Sequence, residues 1–315
     1  MFIKDKLINY FGKNIKFLLN NIDYQYFEKS EEVRIRLDRC IVFKTFDKEY
    51  FLLKDMTITE NFLENKVYKP TIEDISQTIE TMSGYSIYAL EQELKNGFIT
   101  LNGGFRVGIT GKVITENNKV KTIRNISSIN IRIAREIKGC SSHILKYISN
   151  PTIKSTIIIS PPNCGKTTLL RDIIRNISNC KENVGLVDER SEIASLYMGK
   201  TQLDVGIRTD VLDRCKKSDG MLMLLRSMSP SVIAVDEIGS DEDIEAIEKI
   251  ANSGVKIICT IHSYSIDDIK QKYNMQNILN NKIFERYIVL NRKNEICNVE
   301  KIYNENMEVV YGEDN

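Results

Sequence analysis

The stretch IIISPPNCGKTTLL, residues 157 to 170, places a glycine, a lysine and two hydroxyls between an apolar run and a helical pattern. That order suits the binding of a phosphate chain. In such a loop backbone N–H groups converge on the β-phosphate, and the N-terminus of the following helix adds a favourable dipole. Lys166 is placed to reach the β- and γ-phosphates of ATP and the Thr167 hydroxyl to coordinate Mg2+, with Ser160, Pro161, Pro162, Asn163, Cys164, Gly165 and Thr168 completing the cradle. Ser160 stands where the pattern G-x-x-x-x-G-K-[ST] asks for glycine. A Cβ in the usual backbone conformation there is expected to cost about 1 kcal/mol. Gly165, the glycine that phosphate approaches closely, is present, and Pro161 and Pro162 should stiffen the loop. The alternative is a chance G-K-T turn between strand and helix.

Further candidates lie downstream. SVIAVDEIG, residues 231 to 239, is an apolar strand ending in two carboxylates. Asp236 is expected to hold Mg2+ through water and Glu237 to act as general base on the attacking water. A solvated strand end is the plainer reading. His262 closes the strand pattern VKIICTI, at the sheet edge where ligands of open α/β sheets bind; it is either a γ-phosphate sensor or a hydrogen-bonded structural histidine. His143 lacks such a context. VDERSEIASLY sets Asp188, Glu189, Arg190 and Glu192 after another strand, either completing the site or forming a salt-bridged loop. Arg208, Arg214 and Arg226 are candidate arginine fingers for a neighbouring subunit's nucleotide, or surface arginines. Met221, Leu222, Leu225 and Met228 should form the core face of the helix carrying Arg226.

Positioning these residues requires a parallel sheet. From Ile157 onward, TIIIS, NVGLVD, SVIAVD and VKIICTI are short, fully apolar strands alternating with helices, as expected of strands buried on both faces. The helix after the loop should bury Leu169, Leu170, Ile173, Ile174 and Ile177, and IFERYIVLNRKNEICNVEKIYN reads as a hairpin turning at Lys293-Asn294. The α/β domain spans 146–315, because Asn150-Pro151 ends a helix just inside it. Residues 1–145 form a smaller α+β domain. VRIRLDR alternates as a half-exposed strand. A helix opens on Thr71, breaks at Ser83-Gly84 and resumes to Gly97, and a meander follows with breaks at Gly103-Gly104 and Asn117-Asn118. Arg132 and Arg135, near the linker, are either nucleotide-sensing or exposed strand arginines.

Composition sets outer limits. The 315 residues are 42% apolar and 28% charged, with a net charge of +1, which argues for a globular fold and against strong attraction to nucleic acid or anionic membrane. A nucleic-acid motor would need clustered Lys/Arg with aromatic platforms. The seven scattered cysteines read as reduced thiols of a cytosolic protein. No apolar run reaches the length of a membrane span, and MFIKDKLINYFGKN reads as an amphipathic helix start rather than a signal peptide.

The run LLRSMSPSVIAVDEIGSDEDIEAIEKIANSGVKIICTIHS is similar to the type II and type IV secretion ATPases over about residues 155 to 265. By that resemblance the second domain is a RecA-like P-loop NTPase, Arg226, Glu237 and His262 match family positions, and VDERSE corresponds to the acidic box. Members often carry glycine where Asp236 stands. Over nearly the whole chain YSIYALEQELKNGFITLNGGFRVGITGKV, IRNISSINIRIAREIKGC, PPNCGKTTLLRDI, VDERSEIA and RTDVLDRCKKSDGMLMLLRSMSPSVIAVDEIG resemble the stage III sporulation AA family of endospore-forming bacteria. Its phosphate loops usually begin with glycine, so Ser160 is a departure. The resemblance implies a hexameric ATPase of the mother-cell cytoplasm, docked on membrane proteins of a channel complex around the forespore. A nucleotide-gated scaffold with little hydrolysis is the other reading.

Overall fold

The computed structural model describes residues 2–84, 91–95, 97–133, 136–162, 164–291 and 296–312. Chain contacts divide it into two units, Met1–Arg135 and Glu136–Asn315. The division falls ahead of the expected boundary at 145 for a packing reason. Ile144 and Ile148 are fully buried in the second unit's core, and the amides of Gly139 and Ser141 donate to Asp172.

In the first unit, β1 (Glu32–Arg36), β2 (Val42–Lys44), β3 (Glu49–Leu52), β4 (Ile58–Thr59), β5 (Phe98–Leu101), β6 (Phe105–Glu116) and β7 (Lys119–Arg132) form one sheet in the order β4-β3-β2-β1-β7-β6-β5. Its paired strands run antiparallel. In β1 the alternation read from VRIRLDR buries Val33 and Ile35. The helix Ile72–Met82 starts from a capping box in which Thr71 and Asp74 satisfy each other's backbone amides. It stops at Ser83. Helix resumes at Glu91–Lys95. Asn117 and Asn118 both adopt positive φ between β6 and β7, the conformation a two-residue hairpin turn requires.

The second unit contains β8 (Thr156–Ser160), β9 (Val184–Asp188), β10 (Thr209–Asp213), β11 (Val232–Ile238), β12 (Lys256–His262), β13 (Arg286–Leu290), β14 (Val299–Asn304) and β15 (Val309–Tyr311). They lie in the order β10-β9-β11-β12-β8-β13-β14-β15. The first six are parallel; β14 pairs antiparallel with β13 and β15 antiparallel with β14. The tail hairpin therefore joins this sheet; Lys293 and Asn294 lie outside the described residues. Alternate residues of the central strands feed two cores. Ile158, Leu186, Ala234 and Ile258 face the helix Lys166–Asn179 on one side. Ile157, Ile159, Val187, Ile233, Val235 and Cys259 face the helices Lys217–Ser227 and Asp241–Asn252 on the other. Burial on both faces explains the unbroken apolar strands.

Two details differ from expectation. β10 was not evident in the sequence: it is a partly exposed edge strand, and its two aspartates mask the apolar signal. The helix Lys217–Ser227 buries Met221 and Leu224, together with Ser218 and Gly220. Leu222 and Leu225 pack only partly against the core, and Met228 sits exposed at the C-cap, beyond the last turn that could turn it inward. Among the described residues no helix is long and apolar enough to cross a membrane.

Candidate functional site

Strands β8, β9, β11 and β12 end at Ser160, Asp188, Ile238 and His262, so their functional side chains gather at the C-terminal edge of the parallel sheet. Ser160 is buried, pairs in register with His262 and donates its hydroxyl to the carbonyl of Pro161 at 2.7 Å. Its φ is not positive. The cost expected of a Cβ there is therefore not incurred, because Ser160 still has strand backbone and the left-handed turn comes later. That turn is Gly165, at φ 89° and ψ 20°, the N-cap of Lys166–Asn179. A Cβ on Gly165 would lie 2.6 Å from Cγ2 of Ile296 and 2.9 Å from the amide nitrogen and Sγ of Cys297. The same segment ties down the loop, since the Cys297 amide donates to the carbonyl of Cys164 at 3.1 Å. Pro161 and Thr168 are half-buried, Pro162 is exposed and Cys164 is buried. Asn163 lies outside the described residues.

Thr167 donates its hydroxyl to Oδ2 of Asp236 at 2.7 Å. Two hard oxygen donors so placed fit Mg2+, which takes few protein ligands and keeps water or phosphate oxygens for the rest. Lys166 places its ammonium 3.1 Å from Nε2 of His262, and that nitrogen is also 3.3 Å from Oε1 of Glu237. The other oxygen of Glu237 pairs with Arg190. A neutral imidazole can accept from Lys166 at Nε2, whereas a protonated one donates to Glu237.

Asp236 and Glu237 are neighbours on one strand, yet both reach the site. Glu237 has φ 56°, and the pairing of β11 with β12 shifts register between Val235 and Ile238. The bulge breaks the alternation that would send successive side chains to opposite faces. The sequence shows the two acids but gives no sign of the bulge.

The acidic segment after β9 is mainly scaffolding. Asp188 is buried and accepts from the amides of Glu192, Ile193, Ala194 and Ser195 at 2.8 to 3.3 Å. Glu189 pairs with Lys217 at 2.6 Å. Glu192 offers its carbonyl to Arg171 at 2.7 Å. Only Arg190 of this segment extends to Glu237, so the segment combines both readings of the sequence. A cleft lined by Asp188, Glu189, Arg190, Glu192, Lys217, Asp236 and Glu237 opens beside it.

Two residues escaped sequence reasoning. Arg171, buried on the helix that begins at Lys166, donates to the carbonyls of Ile193 and Glu192 and so pins the acidic segment to the phosphate loop's helix. Burial lowers its pKa, while the carboxylates of Glu136, Asp188 and Asp236 act in the opposite sense. Asp172 accepts from Gly139, Ser141 and Arg175. Their adjacent charges within an apolar helix pattern are the only signal the sequence carries.

Of the other candidate arginines, Arg214 donates its amide to the carbonyl of Asp188 at 3.1 Å. Arg226 is exposed in the last turn of Lys217–Ser227. Arg208 is exposed and reaches the carbonyl of Ser178, Arg214 pairs with Asp213 at 3.5 Å, and Arg132 lies 4.0 Å from Glu32. Arg135 lies outside the described residues. The His143 ring lies tilted against that of Tyr311, with 6.0 Å between centroids.

A family model described as "Sporulation stage III, protein AA" matches residues 2–310. Stage III sporulation protein AA of Bacillus subtilis (strain 168) is 40% identical over 303 residues, covering 95% of this chain and 94% of that protein. Among solved structures, the ATPase DotB of Yersinia pseudotuberculosis superposes with a TM-score of 0.58 at 16% identity, covering 94% of this chain and 80% of that one. The pilus retraction motor PilT, solved with bound ADP, gives 0.53 at 17% identity, with 84% and 75% covered. At such identities the likeness shows the fold alone, an α/β domain of the RecA-like kind.

Proposed function

The chain belongs to the Sporulation stage III, protein AA family, and on that premise we propose that it is a Mg2+-dependent ATPase. Its work is that of a ring-forming motor which energises a secretion-like channel complex between mother cell and forespore. The observation that carries the catalytic part is the bulge in β11, which presents Asp236 to Thr167 and Glu237 to His262 at one sheet edge.

Bound MgATP would supply the transferable γ-phosphoryl group and the charge of the metal. The chain's own residues do the rest. The amides at the start of Lys166–Asn179 and the ammonium of Lys166 bind phosphate oxygens. The oxygens of Thr167 and Asp236 would hold the metal. Glu237 accepts a proton from the attacking water at its carboxylate. Arg190 and His262 fix the direction of that carboxylate from two sides. Arg226, exposed and outside this cluster, is the candidate to complete a neighbour's site. The motor sits in the mother-cell cytoplasm and meets the membrane through partner proteins.

Phosphate release and ATP binding, measured on purified parent and Glu237→Gln proteins, test this. The variant should bind ATP as the parent does and release phosphate about 100-fold or more slowly, in line with the loss of a general base. Equal turnover in the two proteins rejects Glu237 as the base, and a parent without multiple turnovers rejects the motor.

A further inference from the structure

Across the bulge, Val235 pairs with Cys259 and Ile238 with Ile261, so Asp236 and Glu237 together stand opposite one residue, Thr260. Thr260 is fully buried. Its Oγ1 accepts the Glu237 amide at 2.8 Å and donates its only proton to Oδ1 of Asp236. The other oxygen of Asp236 is taken by Thr167 at 2.7 Å. Two threonine hydroxyls, one from the phosphate loop's helix and one from β12, thus grip the carboxylate from both ends.

From this geometry we infer that Thr260 is a positioning residue: its hydroxyl locks the bulge that aims both acids into the site. The inference rests on the ATPase reading. Glu237 has φ 56°, a conformation that a residue with a Cβ holds only when its surroundings enforce it. In a regular parallel ladder the Glu237 amide would find a backbone carbonyl; at the bulge it finds the Thr260 side chain instead. The same hydroxyl fixes the rotation of the Asp236 carboxylate, and with it the direction in which Oδ2 meets Thr167. Removing this one oxygen frees the backbone that turns Glu237 and the side chain that serves the metal.

Thr260→Val preserves the branched shape and removes the hydroxyl, whereas Thr260→Ser keeps the hydroxyl. Three measurements on the full chain separate the outcomes: deuterium exchange at the Glu237 amide, ATP affinity in EDTA, and kcat as a function of Mg2+. In Thr260→Val the amide should exchange about tenfold faster or more, as expected of local opening. Its kcat should fall by about 10- to 100-fold with a raised Mg2+ requirement, the usual loss for a residue supporting metal-site ligands. Metal-free ATP affinity should stay within about twofold, because Lys166 and the loop amides are untouched. Thr260→Ser should restore exchange and turnover.

Parent-like exchange and kcat in Thr260→Val overturn the inference. So does a Thr260→Ser protein as impaired as Thr260→Val, which would assign the role to shape. If Thr260→Val does not fold, Thr260→Ala takes its place with the same expected results. A parent that neither binds nor hydrolyses ATP defeats the ATPase reading. The exchange of the Glu237 amide then still decides whether the hydroxyl locks the bulge.

Discussion

The ammonium of Lys166 stands 3.1 Å from Nε2 of His262, joining the first residue of the phosphate loop's helix to the last residue of β12. Because His262 also neighbours Glu237 at 3.3 Å, it links Lys166, the proposed phosphate ligand, to the proposed base. His262→Ala should release Lys166 from a competing partner while leaving Glu237 with one support fewer. ATP affinity is expected to be equal or tighter and turnover about 10- to 100-fold slower. Calorimetric titration alongside phosphate release checks both halves, and a variant that loses binding but keeps its turnover contradicts this link.

The two ends of the phosphate loop should respond oppositely to exchange between glycine and larger residues. Ser160 has strand backbone and a satisfied hydroxyl, so Ser160→Gly is expected to leave ATP affinity unchanged. It should cost about 0.5–1 kcal/mol of stability through added chain entropy. Gly165→Ala meets both a left-handed backbone and atoms of Ile296 and Cys297 closer than 3 Å. It should cost about 1–3 kcal/mol and abolish ATP binding. Denaturant unfolding with and without ATP distinguishes the two cases.

The strand-turn-helix around Gly165 and the four central strands were legible because their signals are local: fixed spacing around Gly165 and Lys166, and unbroken apolar runs. The bulge was not, because it is a property of the register between β11 and β12, two strands separated by a helix. Asp188 was legible as a candidate but not in its role, since only the fold reveals four amides converging on its carboxylate. The domain boundary was misplaced for a similar reason. Ser141 lies before the expected boundary, yet its hydroxyl bonds to Asp172 at 2.7 Å in the second unit.

That bond makes Asp172 a source of pH-dependent stability. Burial would raise its pKa, but the amides of Ser141 and Gly139, the Arg175 guanidinium and the Ser141 hydroxyl together lower it below the ordinary value. A carboxyl whose folded pKa is depressed stabilises the fold above its unfolded pKa, and that contribution is lost as pH falls through the folded pKa. At neutral pH Asp172→Asn should cost about 2 kcal/mol, as for hydrogen bonds to a charged group. The gap between parent and variant should narrow steadily as pH drops below the usual aspartate range. Urea unfolding at several pH values measures it; a gap independent of pH would show that the carboxylate's charge is not what holds Gly139 and Ser141.

Arg226 tests whether sites are shared between subunits. It is exposed in the last turn of Lys217–Ser227, and Glu237 already has Arg190 as its cationic neighbour within the chain. A role for Arg226 in catalysis therefore calls for a second copy. Arg226→Ala should bind ATP normally and lose about 10³-fold or more in turnover, the scale of an arginine finger. Lys166→Ala should lose binding, because its own loop cannot hold phosphate. Mixing the two inactive proteins then forms some interfaces with an intact loop from one subunit and an intact arginine from the other. Turnover should reappear in the mixture and peak near equal proportions. A mixture as inactive as its components would place Arg226 outside a shared site, whatever the effect of Arg226→Ala alone.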